Sequence, residues 1–430
     1  MNEKSLKVLS VCTSLGGGAG RAAYRIHQGM RGLGVDSRML LKDRRSNDSN
    51  ILTLEGLVPK NPLYRAFDWT RNKCKNKIQH YRWNQYPDRD NVFMSDLRGT
   101  DLHGALRKLD YDVLHLHWVN SRFVHVKDLP KDKPIVWTLH DSWPFCGVCH
   151  YFFECERYKQ ECGCCPFLHS DKTDDLSHKV WQEKAEIYKG LDLHIVSPSR
   201  WLGDCAKRSS LLGRFPMVVI PNCLDVNAFR PLNEKEISPR WHELSEIGKK
   251  RPLILFGANN AAKDKIKGFS YLISALKHLE QQGHKDDFEL VVFGASGSEL
   301  SVDVNIPIHY VGYVGKTEEL ASLYNLASVM VVPSLTEVFG QTASEALACA
   351  TPVVAFQCTG IQEVVDHKQN GYLAQPYLSE DLAKGILWCL QNNVGNQLGK
   401  AGHEKVLREY SFETVCKKYK AVYDSVIIKQ

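Results

Sequence analysis

Val329-Met-Val-Val-Pro333, Ser334-Leu-Thr-Glu337-Val-Phe-Gly-Gln-Thr-Ala-Ser-Glu345 and Thr351-Pro-Val-Val-Ala-Phe356 carry the most structural information in the chain. The first apolar run reads as a buried strand and the last as a second one. Between them the pattern predicts a turn, then a helix starting near Gln341 with Glu345 on its first turns. Strand, loop, helix and strand make one unit of a parallel α/β sheet. Ligands of such sheets lie outside the carboxyl ends of the strands. Glu337 and Glu345, with seven residues between them, can therefore face one ligand. A helix start offers backbone N–H groups that suit a phosphate, and a carboxylate beside them can accept hydrogen bonds from sugar hydroxyls.

The same rhythm runs through the chain. Strands are expected at Leu6–Cys12, Ser37–Leu41, Val113–His117, Ile135–His140, Leu193–Ser197 and Met217–Ile220. A second series follows at Leu253–Gly257, Glu289–Gly294, His309–Val311, Val329–Val332 and Val353–Phe356, with helices between. This predicts two successive doubly wound α/β domains, 1–220 and 221–410, with a break at Pro221-Asn222. A last helix is expected over 411–430.

The phrase from Pro333 to Gly340, with Glu345-Ala346 and Thr351-Pro-Val-Val-Ala355 behind it, resembles the donor motif of retaining glycosyltransferases of the GT-B fold, family 4. The resemblance is strong over about 250–410. It implies two Rossmann-like domains facing a cleft, with the final helix returning to the first. Glu337 then lies near the transferred sugar and its phosphate, and Glu345 holds the ribose. Phe339, Gly340 and Gln341 fall in the same donor site. Pro221-Asn-Cys-Leu-Asp-Val-Asn-Ala-Phe229 resembles the family's interdomain link, with Cys223 in place of a glycine.

Other motifs fit around this one. Gly16-Gly-Gly-Ala-Gly-Arg21 lies between the first strand and first helix, where glycines let a ligand approach the backbone. Gly17, Gly18 and Arg21 are the candidates there. His140-Asp141 ends a strand and resembles the family's cleft histidine, a donor to a sugar hydroxyl or to the departing phosphate. Lys267-Gly268 matches the lysine that neutralises the diphosphate. The arginine usual about five residues earlier is absent, so Lys263 or Lys265 stands in without the bidentate fork. By resemblance the backbone at Gly312-Tyr313-Val314 reads the base. Thr359-Gly-Ile-Gln-Glu363 resembles the Gly-Gly-x-x-Glu turn near the donor sugar, with Glu363 read as structural. No metal or other cofactor is required for catalysis, because cations and a helix dipole share the developing charge. The Asp88-Arg-Asp90 and Asp110-Tyr-Asp112 pairs are read as incidental.

Six cysteines fall between Cys146 and Cys165, including two CxxC pairs with twelve residues between them. Zinc takes four thiolates tetrahedrally. The segment from Trp143 to Pro166 resembles a subgroup of these transferases from polysaccharide gene clusters. That resemblance selects Cys149, Cys155, Cys162 and Cys165 as ligands of a structural zinc. Such a site would hold a loop too polar to hold itself.

Composition sets further limits. Of 430 residues 43% are hydrophobic and 24% charged, as in soluble globular proteins. No apolar run is long enough for a membrane span and no signal peptide is visible, so a cytoplasmic protein with reduced cysteines is expected. Residues 60–83 carry seven cations, one carboxylate and interleaved aromatics, a net charge of +6 equal to that of the whole chain. This segment either lies peripherally on an anionic membrane face or is a solvated helix with aromatics turned inward. No nucleic-acid module accompanies it. The expected partners are a nucleotide-sugar donor, with UDP the default base, and a saccharide or lipid-linked oligosaccharide acceptor. Two rival readings remain. Gly18-Ala-Gly-Arg-Ala-Ala23, with Asp43 about 20 residues on, reads as a dinucleotide fingerprint of an NAD(P)-dependent enzyme. A non-catalytic sugar-nucleotide-binding protein, or a phosphorylase or epimerase of the same fold, is the other.

Overall fold

The computed structural model describes residues 5–42, 48–57, 70, 81–90, 94–100, 102–257, 264–295 and 302–428. The chain forms two compact units. The first comprises Met1–Pro198, Leu202–Ile220 and Lys418–Gln430; the second comprises Ser199–Trp201 and Pro221–Lys417.

The first unit is built on a parallel sheet of β1 (Lys7–Cys12), β2 (Asp36–Leu41), β3 (Ile51–Thr53), β4 (Val113–Leu116), β5 (Ile135–Thr138), β6 (Leu193–Ser197) and β7 (Met217–Val219). Their order is β3-β2-β1-β4-β5-β6-β7. The chain runs outward from β1 to β3, then restarts on the other side of β1 at β4. The β1/β4 boundary is therefore the topological switch point, where an open α/β sheet leaves a crevice. Behind β4 and β5 lies the end of the last helix, Phe412–Ile427. Tyr419 Oη is 3.0 Å from Thr138 Oγ1, and Tyr423 Oη is 2.7 Å from His115 Nδ1.

The second unit repeats the plan with β8 (Leu253–Gly257), β9 (Glu289–Phe293), β10 (Ile308–Gly312), β11 (Val329–Val332), β12 (Val353–Phe356) and β13 (Gly371–Ala374), in the order β10-β9-β8-β11-β12-β13. Its switch point is β8/β11. One sheet face packs Leu255, Val291, Met330, Val353 and Tyr324 into a core; the other packs Ile254, Leu290, Val331 and Val354 beneath the helix Phe269–Gln281. Burial on both faces is why these strands read as continuous apolar runs.

Three local features differ from the sequence reading. The first helix starts at Gly17, four residues before Arg21, because Gly20 packs where a Cβ would sit 2.3 Å from Ser14 O. The strands β4 and β5 stop early, which leaves His117 and His140 beyond their carboxyl ends. Strands β3 and β13 have no counterpart in the reading. The first is a three-residue edge, and the second opens on Gly371, pressed so closely on β12 that a Cβ would lie 2.0 Å from Val353 O.

Candidate functional site

In the second unit, the loops after β8 and β11 meet at the switch point. The β11 loop carries Glu337 and the β8 loop carries Lys267. Lys267 Nζ donates to Glu337 Oε1 at 2.6 Å, and Ser334 Oγ donates to the same oxygen at 3.1 Å. Both charged side chains keep a solvent-facing portion, 25% for Lys267 and 18% for Glu337. Gly268 makes this approach possible. Its φ of 69° is left-handed, and a Cβ there would lie 1.8 Å from Pro333 O. Leu335 N–H donates to Ile266 O at 2.8 Å, which ties the two loops together.

The turn after β12 closes the other side of Glu337. Glu337 N–H donates to Thr359 Oγ1 at 2.9 Å, and Gly360 N–H donates to Glu337 O at 2.8 Å. Thr359 takes a φ of 52°, where glycine would be easier; its hydroxyl bond to Glu337 gives the threonine a reason to be there. Glu363 accepts from the Arg200 and Trp201 N–H groups at 3.0 Å each, a bracing arrangement.

Gly340, at φ 92°, turns the chain into the helix Gln341–Ala348. Phe339 is buried edge-on against Tyr410, so it acts as an anchor beneath the loop. Glu345 is fully buried, and Tyr324 Oη donates to its Oε2 at 2.9 Å. At the end of β10, Gly312 has a φ of 68°, Tyr313 is 77% exposed and Val314 is buried. Arg240 donates to Val311 O at 3.3 Å beside this turn.

In the first unit, the glycine loop and two histidines line the β1/β4/β5 edge. Gly17, Gly18 and Arg21 are exposed at the start of the helix Gly17–Gly32. His140 Nε2 lies 3.1 Å from His117 Nδ1. Burial lowers His140 to a pKa of about 4 and His115 to about 3, and takes His117 well below its usual value. All three rings are therefore neutral near pH 7. Asp141 points the other way, accepting from Trp118 Nε1, Trp143 N–H and the His150 ring. His150 Nε2 in turn meets Ser95 Oγ at 3.0 Å.

The cysteine-rich loop is held by more than thiols. Lys184, wholly buried, donates to the carbonyls of Trp143, Cys146 and Gly147 and lies 3.7 Å from the Trp143 ring centroid. Burial pulls its pKa down to about 7. Phe145, Phe152 and Tyr158 pack ring on ring. A buried lysine and packed aromatic rings thus help to hold this loop. Burial pushes the thiols of Cys162 and Cys165 up to about 12 and raises that of Cys155 as well. Among the described residues, no group of three or more His, Cys, Asp or Glu side chains stands ready to hold a metal ion.

Several expected residues lie outside the described ones: Lys263, Asp43 and most of 60–83. Of that segment, Tyr81 is 69% exposed and Arg82 pairs with Glu183. Among the described residues no helix is long and apolar enough to cross a membrane. Ser334, Tyr324 and His117 escaped the sequence reading. Ser334 and Tyr324 had no local signal. His117 did, since it ends a strand just as His140 does.

Residues 16–228 match the family model described as Glycosyltransferase Family 4, and residues 238–405 match that of Glycosyl transferases group 1. An uncharacterized glycosyltransferase of Methanocaldococcus jannaschii is 31% identical over 341 residues, which is 74% of this chain and 77% of that protein. A putative colanic acid biosynthesis glycosyl transferase of Escherichia coli is 25% identical over 60% of this chain and 61% of its own length. The structure of HepE from Anabaena in complex with UDP-glucose is similar with a TM-score of 0.65, at 15% identity, over 98% of this chain and 100% of that one. The chain belongs to the glycosyltransferases of the group 1 and family 4 type. Its two parallel-sheet units are Rossmann-like and match the GT-B architecture. Membership does not favour the nicotinamide reading of Gly18–Ala23.

Proposed function

We propose that the protein moves a sugar from a UDP-sugar to a hydroxyl of a saccharide or lipid-linked oligosaccharide, with retention at the anomeric carbon, in cell-surface polysaccharide synthesis. The observation that carries this reading is the Lys267–Glu337–Ser334 cluster at the β8/β11 switch point. A diphosphate arriving there meets a lysine already held in place, and Lys267 can exchange the Glu337 carboxylate for a phosphate oxygen. Glu337 is then free to stabilise positive charge at the sugar. In the step, the bond from the anomeric carbon to phosphate oxygen breaks and a bond from the acceptor oxygen forms on the same face. The acceptor proton goes to the departing phosphate. UDP as the base and a polysaccharide product are supported by the ligand of HepE and the description of the E. coli relative. Glu345 serves the ribose and the Gly312–Val314 turn the base, while Gly17, Gly18, Arg21 and His140 serve the phosphate or the acceptor.

The test is a thermal-shift and hydrolysis panel of UDP-, GDP-, ADP- and dTDP-sugars with wild type, Glu337→Ala and Glu345→Ala. Stabilisation by UDP-sugars, weakened in Glu345→Ala, with hydrolysis down at least about 100-fold in Glu337→Ala, is expected. Binding without turnover would favour a non-catalytic sugar-nucleotide binder. The basic segment 60–83 motivates peripheral contact with the cytoplasmic membrane face. Neutralising its lysines and arginines should weaken sedimentation with anionic liposomes.

We propose also that Cys149, Cys155, Cys162 and Cys165 bind a structural zinc. The donor chemistry and the burial of Cys149, Cys162 and Cys165 support this, and the Gly147 N–H already donates to Cys162 Sγ at 3.2 Å. Metal analysis of purified protein should find about one zinc per chain. A metal-free protein with unchanged melting temperature would overturn it.

A further inference from the structure

His117 and His140 follow neighbouring strands, and their facing nitrogens, His117 Nδ1 and His140 Nε2, are 3.1 Å apart. The rings are nearly parallel, at 29° and 5.4 Å between centroids. With both rings neutral, one of those two nitrogens carries the shared proton, and the choice decides what the other end of each ring presents. If His140 donates, His117 must be protonated at Nε2. That atom is buried and has no hydrogen-bond partner. A buried N–H without an acceptor is among the rarest defects of folded proteins, whereas a bare acceptor is better tolerated. If His117 donates from Nδ1, the atom left alone at Nε2 is only a lone pair.

We infer that His117 is a positioning residue that locks His140 into its Nδ1–H tautomer, so that His140 meets its ligand as a neutral hydrogen-bond donor and never as a base. This deepens the proposed role of His140 and rests on it. His140 is only half-buried, which leaves part of its ring open to a ligand. Its one remaining lone pair, on Nε2, is occupied by His117. A second layer braces the pair. The His115 ring lies 4.0 Å from that of His117, pinned between Thr138 Oγ1 at 2.8 Å and Tyr423 Oη at 2.7 Å. The charges and titratable groups that act on the pair are Asp141, adjacent in the chain, His115 on β4, and His27 on the helix Gly17–Gly32. His27 and His115 are themselves neutral near pH 7. A donor locked in this way suits a sugar hydroxyl or phosphate oxygen. The acceptor's proton must then go elsewhere, which agrees with its transfer to the departing phosphate.

The tautomer can be read directly. Long-range 1H–15N correlation spectra of the full chain with 15N-labelled histidine, assigned by single substitution, distinguish Nδ1–H from Nε2–H rings. Both His117 and His140 should show the Nδ1–H pattern, unchanged between pH 8 and about pH 5. His117→Asn, whose amide N–H falls close to the Nδ1 position, should keep it at His140. His117→Leu should shift His140 toward the Nε2–H form that free histidine prefers. An Nε2–H pattern at His140 in the wild type overturns the inference, as does an unmoved Nδ1–H pattern in His117→Leu. The wild type and His117→Asn decide the matter should His117→Leu fail to fold. The reading of His140 itself fails separately, if His140→Ala hydrolyses UDP-glucose at the wild-type rate while the tautomers are as described.

Discussion

Lys267 can reach Glu337 only because Gly268 has no side chain. Its backbone is left-handed and pressed on the carbonyl that ends β11, two demands that only glycine meets together. Gly268→Ala would push the β8 and β11 loops apart. We expect the second unit to lose about 2 kcal/mol or more, read as a lower melting temperature. Donor hydrolysis by the fraction still folded should fall about 100-fold or more, because misplacing a charged group by an ångström is enough. A variant with wild-type hydrolysis would show that the Lys267–Glu337 approach is not needed. At this scale the sequence was informative about residues and silent about pairs. Glu337 and Lys267 could each be picked out by the motif around them. Their ion pair could not, because 70 positions separate them. Glu345 was legible as a carboxylate at a helix start, while Tyr324, which bonds it across the core, was not.

Elements were more legible than their ends. Parallel strands covered on both faces are unbroken apolar runs, so β6, β8, β11 and β12 could be bounded to the residue. Short edges such as β3 lack enough apolar positions to rise above a loop. The early ends of β4 and β5 were also hidden, since histidine next to a β-branched run carries no stop signal. The helix Gln341–Ala348 matters as an element. It is eight residues long and buried over Ala343–Ala348, so its position depends on packing rather than on its own propensity. Tyr324, from the helix Thr317–Leu326, links to it through Glu345 and also accepts the Thr351 hydroxyl on its carbonyl at 2.6 Å. Tyr324→Phe removes the hydroxyl from a buried carboxylate and should destabilise the second unit by about 1–3 kcal/mol. UDP affinity should fall by a few fold in isothermal titration as the Gln341 helix start loosens. A variant with unchanged stability would mean that Glu345 is satisfied without Tyr324.

The two units repeat one plan but differ in acid. The first unit holds four neutral histidines: His27, His115 and His117, which are buried, and His140, which is half-buried. In the second, among the described residues, partial burial beside Lys368 lowers His367. The sign follows from proton uptake. Once unfolded, a histidine takes a proton below about pH 6.5; in the folded first unit His27 and His140 resist until about pH 4. Between those values the unfolded state binds more protons, so stability is full above pH 6.5 and is lost as the pH falls toward 4. For His27 alone the full difference is worth roughly 3 kcal/mol. Thiols and Lys184 titrate at or above about pH 7 and do not shape this window. Calorimetry from pH 7.5 to 4.5 should therefore show one transition sliding down steeply below pH 6.5 while another moves little. His27→Gln has nothing to titrate, so it should flatten the steep transition by about one proton and mark it as that of the first unit. A steep transition indifferent to His27→Gln, or none that moves between pH 7 and 5, would mean that these rings are charged or hydrated in the folded protein. In that case the neutral pairing of His117 with His140 would lose its footing along with the acid sensitivity.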